Sequence, residues 1–303
     1  MLFLTESDVR ELLPMTEAIR LVRLAFEALA RGEAQSQPRR RLMLNTGSIL
    51  HQLPGAYGRY FGLKFYATNP KFGADFLFAL YDAETARPLA LMQANWLGQI
   101  RTGAASGYAT HLLANPDADT LAVIGAGFQA RSQVEAARAV RPIRTVRVWS
   151  RHQEKREKFA ADMNAVVAPS AEEAVRGAQI VVTATWSKDP VLEDAWITAG
   201  THGAHINAIG SNMPNRRELP DALVRRADVI AVDALDAAKN EAGDLILADC
   251  WSNVVELQSV TAGWSPHRIS IFKSVGLGME DVAVGSFVYE QALVRGAGRP
   301  LYS

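Results

Sequence analysis

The stretch Thr120-Leu-Ala-Val-Ile-Gly125-Ala-Gly127-Phe128-Gln129-Ala130-Arg-Ser-Gln-Val-Glu-Ala136 constrains the fold more than any other part of this chain. An apolar run with the composition of a buried strand ends in a glycine turn, and a helical pattern starts at once. Gly125 permits the turn, Gly127 has no Cβ to hold a pyrophosphate off the backbone, and Ala130 lets the helix pack closely on the strand. The helix N-terminus then turns its unpaired N–H groups toward phosphate charge. The pattern is that of a dinucleotide-binding turn. A second strand, Thr145-Val-Arg-Val-Trp149, ends about twenty residues on, where the residue that reads the ribose belongs. An NAD enzyme would carry Asp or Glu there, whereas this chain has Ser150-Arg151-His152. Arg151 can pair with a 2′-phosphate and Ser150 can donate to it, so NADP(H) is the preferred cofactor and NAD(H) the second option.

Strands and helical patterns alternate after this turn. Apolar runs at Ala165-Val-Val-Ala168, Ile180 to Thr185, Gly203 to Gly210, Asp228 to Asp233 and Ile269 to Gly276 predict a parallel sheet with helical crossovers. Before the turn the pattern differs. Thr5 to Leu13 reads as a short capped helix, and Thr16 to Leu29 as an amphipathic helix ending near Gly32. Between Pro38 and Leu80, short β-like runs separated by Gly, Pro and Asn predict a small, largely antiparallel sheet, leading through a turn into Pro88 to Met92. A last helix from about Met279 to Leu293 crosses back to the N-terminal lobe. At 303 residues the chain exceeds one core. The expected class is α/β, with a Rossmann domain over residues 115–280 and a smaller α+β domain from 1–114 and 281–303.

Composition narrows the ligand. Lys plus Arg equals Asp plus Glu at 32 each, so no global field favours nucleic acid or an anionic membrane, and a small molecule is expected. Cys250 is alone, which excludes an internal disulfide and a cysteine-cluster metal site. The histidines 51, 111, 202, 205 and 267 have no ligand spacing, so no metal is expected. No leader pattern and no run of apolar residues long enough to cross a bilayer is present, which predicts a soluble, cytoplasmic chain. Ser187, Ser211 and Ser274 lack a nucleophile-elbow context.

Two residues stand out by chemistry. Lys64 lies in an otherwise apolar and aromatic strand, where an ammonium needs an acidic partner or a carboxylate ligand. Arg101 sits at the entrance of a helix of small residues, Ile100 to Gly107, from which it can fork onto a carboxylate or phosphate. Of Arg39, Arg40 and Arg41, only one need point inward on an alternating strand.

Taken in order and spacing, Gln37-Pro-Arg-Arg40, Leu53-Pro54, Gly62-Leu-Lys64, Arg101-Thr-Gly-Ala104, the glycine turn, Ile206-Asn-Ala-Ile-Gly210, Arg217-Glu-Leu219, Glu241-Ala-Gly-Asp244 and Lys273-Ser-Val-Gly276 resemble the ornithine cyclodeaminase and mu-crystallin family over nearly the whole chain. The resemblance implies a Rossmann domain plus a dimerising substrate domain, hence a homodimer. It implies that Arg40, Lys64 and Arg101 gather around a substrate carboxylate, leaving spare positive charge near the reacting centre, with His51 among the substrate-facing residues. It also implies that Thr102, Gly125, Gly127, Phe128, Gln129, Ala130, Thr185, Ser274, Val275 and Gly276 hold the dinucleotide. One departure redirects the chemistry. Where cyclodeaminases and alanine dehydrogenases of this family carry an aspartate, Ser211 is followed by Asn212, and an amide cannot take a proton at neutral pH. His51 also replaces a glutamate of the cyclodeaminases. The expected activity is therefore NAD(P)H-dependent reduction of a C=N bond beside a carboxylate, in a ketimine or cyclic imino acid, with Asn212 hydrogen-bonding the imine nitrogen. An alanine-dehydrogenase-like amino-acid dehydrogenase is the runner-up, ahead of a true cyclodeaminase. A cofactor- and ligand-binding protein with little catalysis is the non-enzyme alternative.

Overall fold

The computed structural model describes residues 1–69 and 71–301. The chain divides into two compact units, Met1–Arg101 with Gly276–Ser303, and Thr102–Val275. These junctions differ from the sequence-based ones at 114/115 and 280/281. The first falls inside the helix Asn95–Leu113, where no loop or change of composition marks it.

The first unit is an eight-stranded sheet. Its centre is the antiparallel meander Ile49–Tyr57, Tyr60–Asn69, Gly73–Asp82 and Pro88–Gln93. Leu2–Leu4 adds in parallel beside Pro88–Gln93, and Arg299–Pro300 pairs with Leu2–Leu4. Ala34–Ser36 and Arg40–Met43 both pair with Ile49–Tyr57. Along Tyr60–Asn69 the buried positions are Tyr60, Gly62, Lys64 and Tyr66, the period-2 alternation of a strand with one face on a core. Lys64 is therefore carried inward by the same alternation that buries its aromatic neighbours.

The helices Met15–Ala30 and Gly278–Arg295 pack in this unit, the latter on Ile49–Tyr57 and Tyr60–Asn69. Glycines make that approach close. A Cβ on Gly278 would stand 2.3 Å from the carbonyl of Pro54, and one on Gly55 would stand 2.3 Å from the backbone of Gly278. The helix Asn95–Leu113 begins earlier than the sequence suggests, because the Glu6 carboxylate accepts from the Asn95 and Trp96 N–H groups at 2.5 and 2.8 Å. Arg101 accordingly sits in the second turn of that helix, not at its entrance.

In the second unit eight strands run parallel, in the order Val166–Val167, Thr145–Trp149, Thr120–Ile124, Ile180–Thr183, Ala204–Ala208, Ile269–Lys273, Val229–Val232, Val254–Glu256. Leu121, Val123, Val134, Val146, Val148, Phe159, Ile180 and Val182 form one core cluster, uniting the first strand with the helix Phe128–Val140. Chain order reverses beside Thr120–Ile124, and ligands of such sheets bind at the carboxyl ends of the strands where this happens. The strands Leu2–Leu4, Ala34–Ser36, Val254–Glu256 and Arg299–Pro300 escape a pattern reading because none exceeds three residues, too few for alternation to register. Among the described residues no helix is long and apolar enough to cross a membrane.

Gly285 tests how tightly the last helix is seated. A Cβ there would lie 2.3 Å from a ring carbon of Phe78, itself fully buried. Gly285→Ala gains about 1 kcal/mol of helix propensity against about 1–3 kcal/mol of overpacking. Urea unfolding is expected to give a net loss of stability, and a more stable variant would mean that the helix stands off the sheet.

Candidate functional site

In the first unit four charged side chains meet out of solvent. Lys64 is 1% exposed, and its Nζ donates to Asp281 Oδ1 at 2.8 Å. Arg101 donates from Nε to the same oxygen at 3.1 Å, and from a terminal nitrogen to Glu280 Oε2 at 3.1 Å. Asp281 and Glu280 are completely buried. Glu280 is held in turn by the Leu277 N–H, 2.9 Å from its Oε1, in a capping arrangement at the start of the last helix. Backbone without side chains surrounds the cations. A Cβ on Gly98 would come within 3.8 Å of Lys64 Nζ, and one on Gly276, where φ is +79°, would strike the Arg101 guanidinium at 2.3 Å.

Burial pushes the Lys64 ammonium down to about 7, Arg101 adds to the depression, and Asp281 opposes it. The acidic pair is the part that sequence reasoning missed. Glu280 and Asp281 set two negative charges against those of Lys64 and Arg101. Two consecutive acids at the head of a helix that is otherwise buried and apolar over Met279, Val282, Ala283 and Val284 were the available signal.

His51 is also buried, at 5% exposure. Its Nε2 lies 3.0 Å from Thr68 Oγ1, and its ring stacks on Tyr66 at 4.4 Å, which stacks on Phe76. Burial, then Arg39 and Arg41, push its pKa down to about 4, so the ring is neutral at pH 7. Arg39 donates to the Tyr66 hydroxyl at 2.7 Å and also acts on Lys64. Arg40, expected at the substrate, is exposed, and it is Arg39 and Arg41 that are half-buried. In the register Arg41 stands opposite His51. Two of the three arginines are thus half-buried where one inward side chain was enough, Arg41 within the strand Arg40–Met43 and Arg39 just ahead of it.

The second unit supplies a cleft of about 660 Å³ lined by Gly125, Gly127, Trp149, Ser150, Arg151, His152, Lys155 and Thr185, among others. Gly125 has φ +114° and donates to the Trp149 carbonyl at 2.9 Å. Its missing Cβ leaves room for the Ala184 carbonyl, 2.5 Å from where it would stand. Nothing lies within 4 Å of a Cβ built on Gly127, the cap of the helix Phe128–Val140, and no side chain caps that end. Open space in front of uncapped N–H groups fits a pyrophosphate. Ala130 is fully buried against the strand, Gln129 is half-buried and Phe128 is 51% exposed. Ser150 Oγ donates to the His152 carbonyl at 3.2 Å, and Arg151 is exposed.

Behind the cleft lies a buried network. Glu218 accepts from Thr185 N and Oγ1, both at 2.6 Å, from Thr183 Oγ1 at 2.9 Å and from Gly210 N at 2.8 Å. Burial pushes its pKa up, while Lys273 and the Thr185 donors pull it back. Asp244 takes the Glu218 and Leu219 N–H groups on one oxygen and pairs with Lys273 at 2.8 Å on the other. Lys273 Nζ also donates to the Ser211 carbonyl at 2.8 Å. Thr185 thus spends its donors on the protein. The same network fixes the backbone on either side of Ser211, next to the half-buried Asn212. Ser274 N donates to the Ala208 carbonyl at 3.3 Å, Val275 N donates to Asp233 at 2.5 Å, and Thr102 is buried at 8% exposure. Among the described residues no group of three or more His, Cys, Asp or Glu could hold a metal ion.

A parallel sheet with an open glycine turn at its switch point, beside a cleft lined by that turn, is the arrangement of a Rossmann-type dinucleotide-binding fold. Residues 1–296 match the ornithine cyclodeaminase/mu-crystallin family, and the chain belongs to it. It is 34% identical to a Delta(1)-pyrroline-2-carboxylate reductase of Bacillus cereus, over 98% of both chains. The Thermococcus litoralis Delta(1)-pyrroline-2-carboxylate reductase, solved in complex with NADH and L-proline, superposes with a TM-score of 0.93 at 32% identity, covering 99% of this chain and 100% of that one. An archaeal alanine dehydrogenase dimer with bound NAD gives 0.92 at 33% identity, covering 100% and 99%.

Glu218 tests the scaffold of the cleft. In Glu218→Gln an amide NH2 must face at least one of four donors, which costs about 1–3 kcal/mol in unfolding experiments. NADPH titration by fluorescence is expected to weaken by about tenfold. Unchanged nucleotide affinity beside lowered stability would assign Glu218 to the core alone.

Proposed function

We propose that this protein is an NAD(P)H-dependent reductase of a C=N bond adjacent to a carboxylate, in a cyclic imino acid or ketimine, yielding the amino acid. The observation that carries the reading is Lys64, a fully buried ammonium in an apolar strand, joined to Arg101 through Asp281. Binding alone does not require such a group, because an apolar side chain of the same volume would leave the strand at least as stable. Asn212 supports reduction over cyclodeamination, since an amide can hydrogen-bond an imine nitrogen but cannot accept the proton of an amine. The likeness to two pyrroline-2-carboxylate reductases, one of them bound to NADH and L-proline, agrees.

In this reading the Lys64 ammonium and the arginines at 39 and 41 attract and orient the substrate carboxylate, and buried, neutral His51 with Tyr66 shapes the pocket wall. The substrate's negative charge favours the charged form of Lys64, so burial and ligand pull its pKa in opposite directions. The dinucleotide, when bound, supplies the hydride. Gly125, Gly127 and the N–H groups from Phe128 to Ala130 hold its pyrophosphate, with Thr185 and the Ser274-Val275-Gly276 turn as further contacts. Arg151 with Ser150, helped by Lys155 and His152 on the same cleft, receives a 2′-phosphate. A homodimer belongs to this reading, since Leu42, Met43 and Leu44 expose 58%, 65% and 53% of their surface, and the archaeal alanine dehydrogenase is described as a dimer. That same enzyme favours a second reading, reductive amination of a 2-oxo acid.

NADPH oxidation with preformed cyclic imines is expected to exceed turnover of 2-oxo acids with ammonia. Turnover confined to oxo acid plus ammonia would favour the dehydrogenase. Lys64→Met keeps most of the stem volume and is expected to lose at least about a hundredfold in kcat/KM, roughly 2.7 kcal/mol, while still binding nucleotide. Near wild-type turnover would reduce Lys64 to a strand lysine. Arg151→Ala is expected to raise the KM for NADPH by roughly tenfold or more, through loss of one charge-assisted contact, and to leave NADH nearly unchanged. Equal loss with both cofactors would make Arg151 structural.

A further inference from the structure

Reduction of a neutral imine needs two deliveries. Hydride from the nicotinamide brings an electron pair to carbon, the π pair of C=N moves onto nitrogen, and that nitrogen takes one proton. An imine that arrives protonated needs none. The residue after Ser211 is an amide here, so a carboxylic acid at that position is not the donor. In the first unit Lys64 offers a buried acid of suitable strength, its ammonium brought by burial to about 7.

An ammonium in that place is precarious. Two of the charged groups around it are cations that disfavour its charge. Arg101 from the helix Asn95–Leu113 and Arg39 ahead of the strand Arg40–Met43 repel it. His51, on the neighbouring strand, is held uncharged. Opposite Lys64, the strand Gly73–Asp82 offers Phe78. Glu280 is engaged by Arg101 and the Leu277 N–H. Among the described residues Asp281 alone bonds the ammonium, and its Oδ1 receives Lys64 and Arg101 together at 2.8 and 3.1 Å. Its Oδ2 is buried without a hydrogen-bond partner among the described residues, so the charge of this carboxylate is committed through a single oxygen.

We propose that Asp281 is a positioning residue that holds Lys64 as an ammonium beside Arg101, so that Lys64 can deliver the proton an imine nitrogen takes up on reduction. The proton leaves Nζ as the C=N π pair moves to nitrogen, and the resulting amine regains a proton from water when product departs. Arg101 competes for the same oxygen and limits how firmly Asp281 holds the ammonium. Stability does not account for the arrangement, because buried ion pairs are commonly no better than apolar groups of the same shape. The geometry of the last helix does account for its precision. The glycine contact between Gly55 and Gly278 and the Leu277–Glu280 cap fix the first turn from which Asp281 projects.

The proposal rests on the reductase reading, and a measurement without substrate separates the two. In protein labelled with 13C-lysine, the Cε resonance lost in Lys64→Met reports the titration of Lys64. In Asp281→Asn its midpoint is expected to fall by about one to three pH units, the usual effect of removing an opposite charge in contact. In Arg101→Met it is expected to rise, because a like charge and a competitor for Oδ1 are both gone; this variant carries the test if Asp281→Asn does not fold. The alkaline limb of kcat/KM with a cyclic imine is expected to move to lower pH in Asp281→Asn, in step with the resonance. A midpoint that stays put in both variants overturns the coupling. A midpoint that moves while the alkaline limb does not overturns the role of Lys64 as the proton donor. Lack of imine turnover by the wild type would instead overturn the reductase reading and leave the resonance shifts interpretable.

Discussion

The first unit is built around a cost, the burial of four charges under an antiparallel sheet. Lys64 and Arg101 are taken out of water and balanced by Asp281 and Glu280, and the balance holds only at hydrogen-bond distance. This requirement explains features that are otherwise unrelated. The last helix must return from the far end of the chain to bring its acids under the sheet. It must come close, so glycines at 55 and 278 remove the side chains that would hold it off. Gly276 must take a left-handed conformation with nothing beyond its Cα, because the Arg101 guanidinium occupies that space.

The second unit solves a different problem, placing backbone groups at the carboxyl ends of parallel strands. Loops that end such strands have few partners of their own. Glu218, Asp244 and Lys273 supply them from inside, by tying Thr183, Thr185, Gly210 and Ser211 into one buried network. The carboxylate of Glu218 accepts four hydrogen bonds; burial still pushes its pKa up, and Lys273 and then the Thr185 donors oppose that push. Gly210 is pressed against this network, since a Cβ would stand 2.1 Å from the Thr185 carbonyl and 2.4 Å from Glu218. The glycine turn is different in kind. Gly125 is tight against the protein and Gly127 faces open space, so one glycine serves the fold and the other leaves room for a ligand.

Much of this was legible in the chain itself. Strand-turn-helix at Thr120 to Ala136, the alternation of apolar runs after it, and the β-like runs before it follow from local periodicity and from what glycine permits. Local rules act over a few residues, so these elements could be read one at a time. That Lys64 lies in an apolar, aromatic strand was legible for the same reason, but Phe61, Leu63 and Phe65 make the opposite face apolar too, so its burial with Tyr60, Gly62 and Tyr66 was decided by the fold. Very short strands were not legible, and neither was the start of the helix Asn95–Leu113, which depends on a cap from Glu6, far away in sequence.

The sequence by itself determined the classes of element, the strand, glycine turn and helix at Thr120 to Ala136 and the residue types capable of chemistry, because each is a property of a short window. Only the tertiary structure decided which charges neutralise one another. It paired Lys64 with Asp281, a carboxylate 217 positions later, placed Arg101 on the same oxygen, and left Arg39 and Arg41, not Arg40, half-buried near His51. Electrostatic balance in a buried site is set by distances of a few ångströms between distant parts of the chain, and no local pattern encodes them.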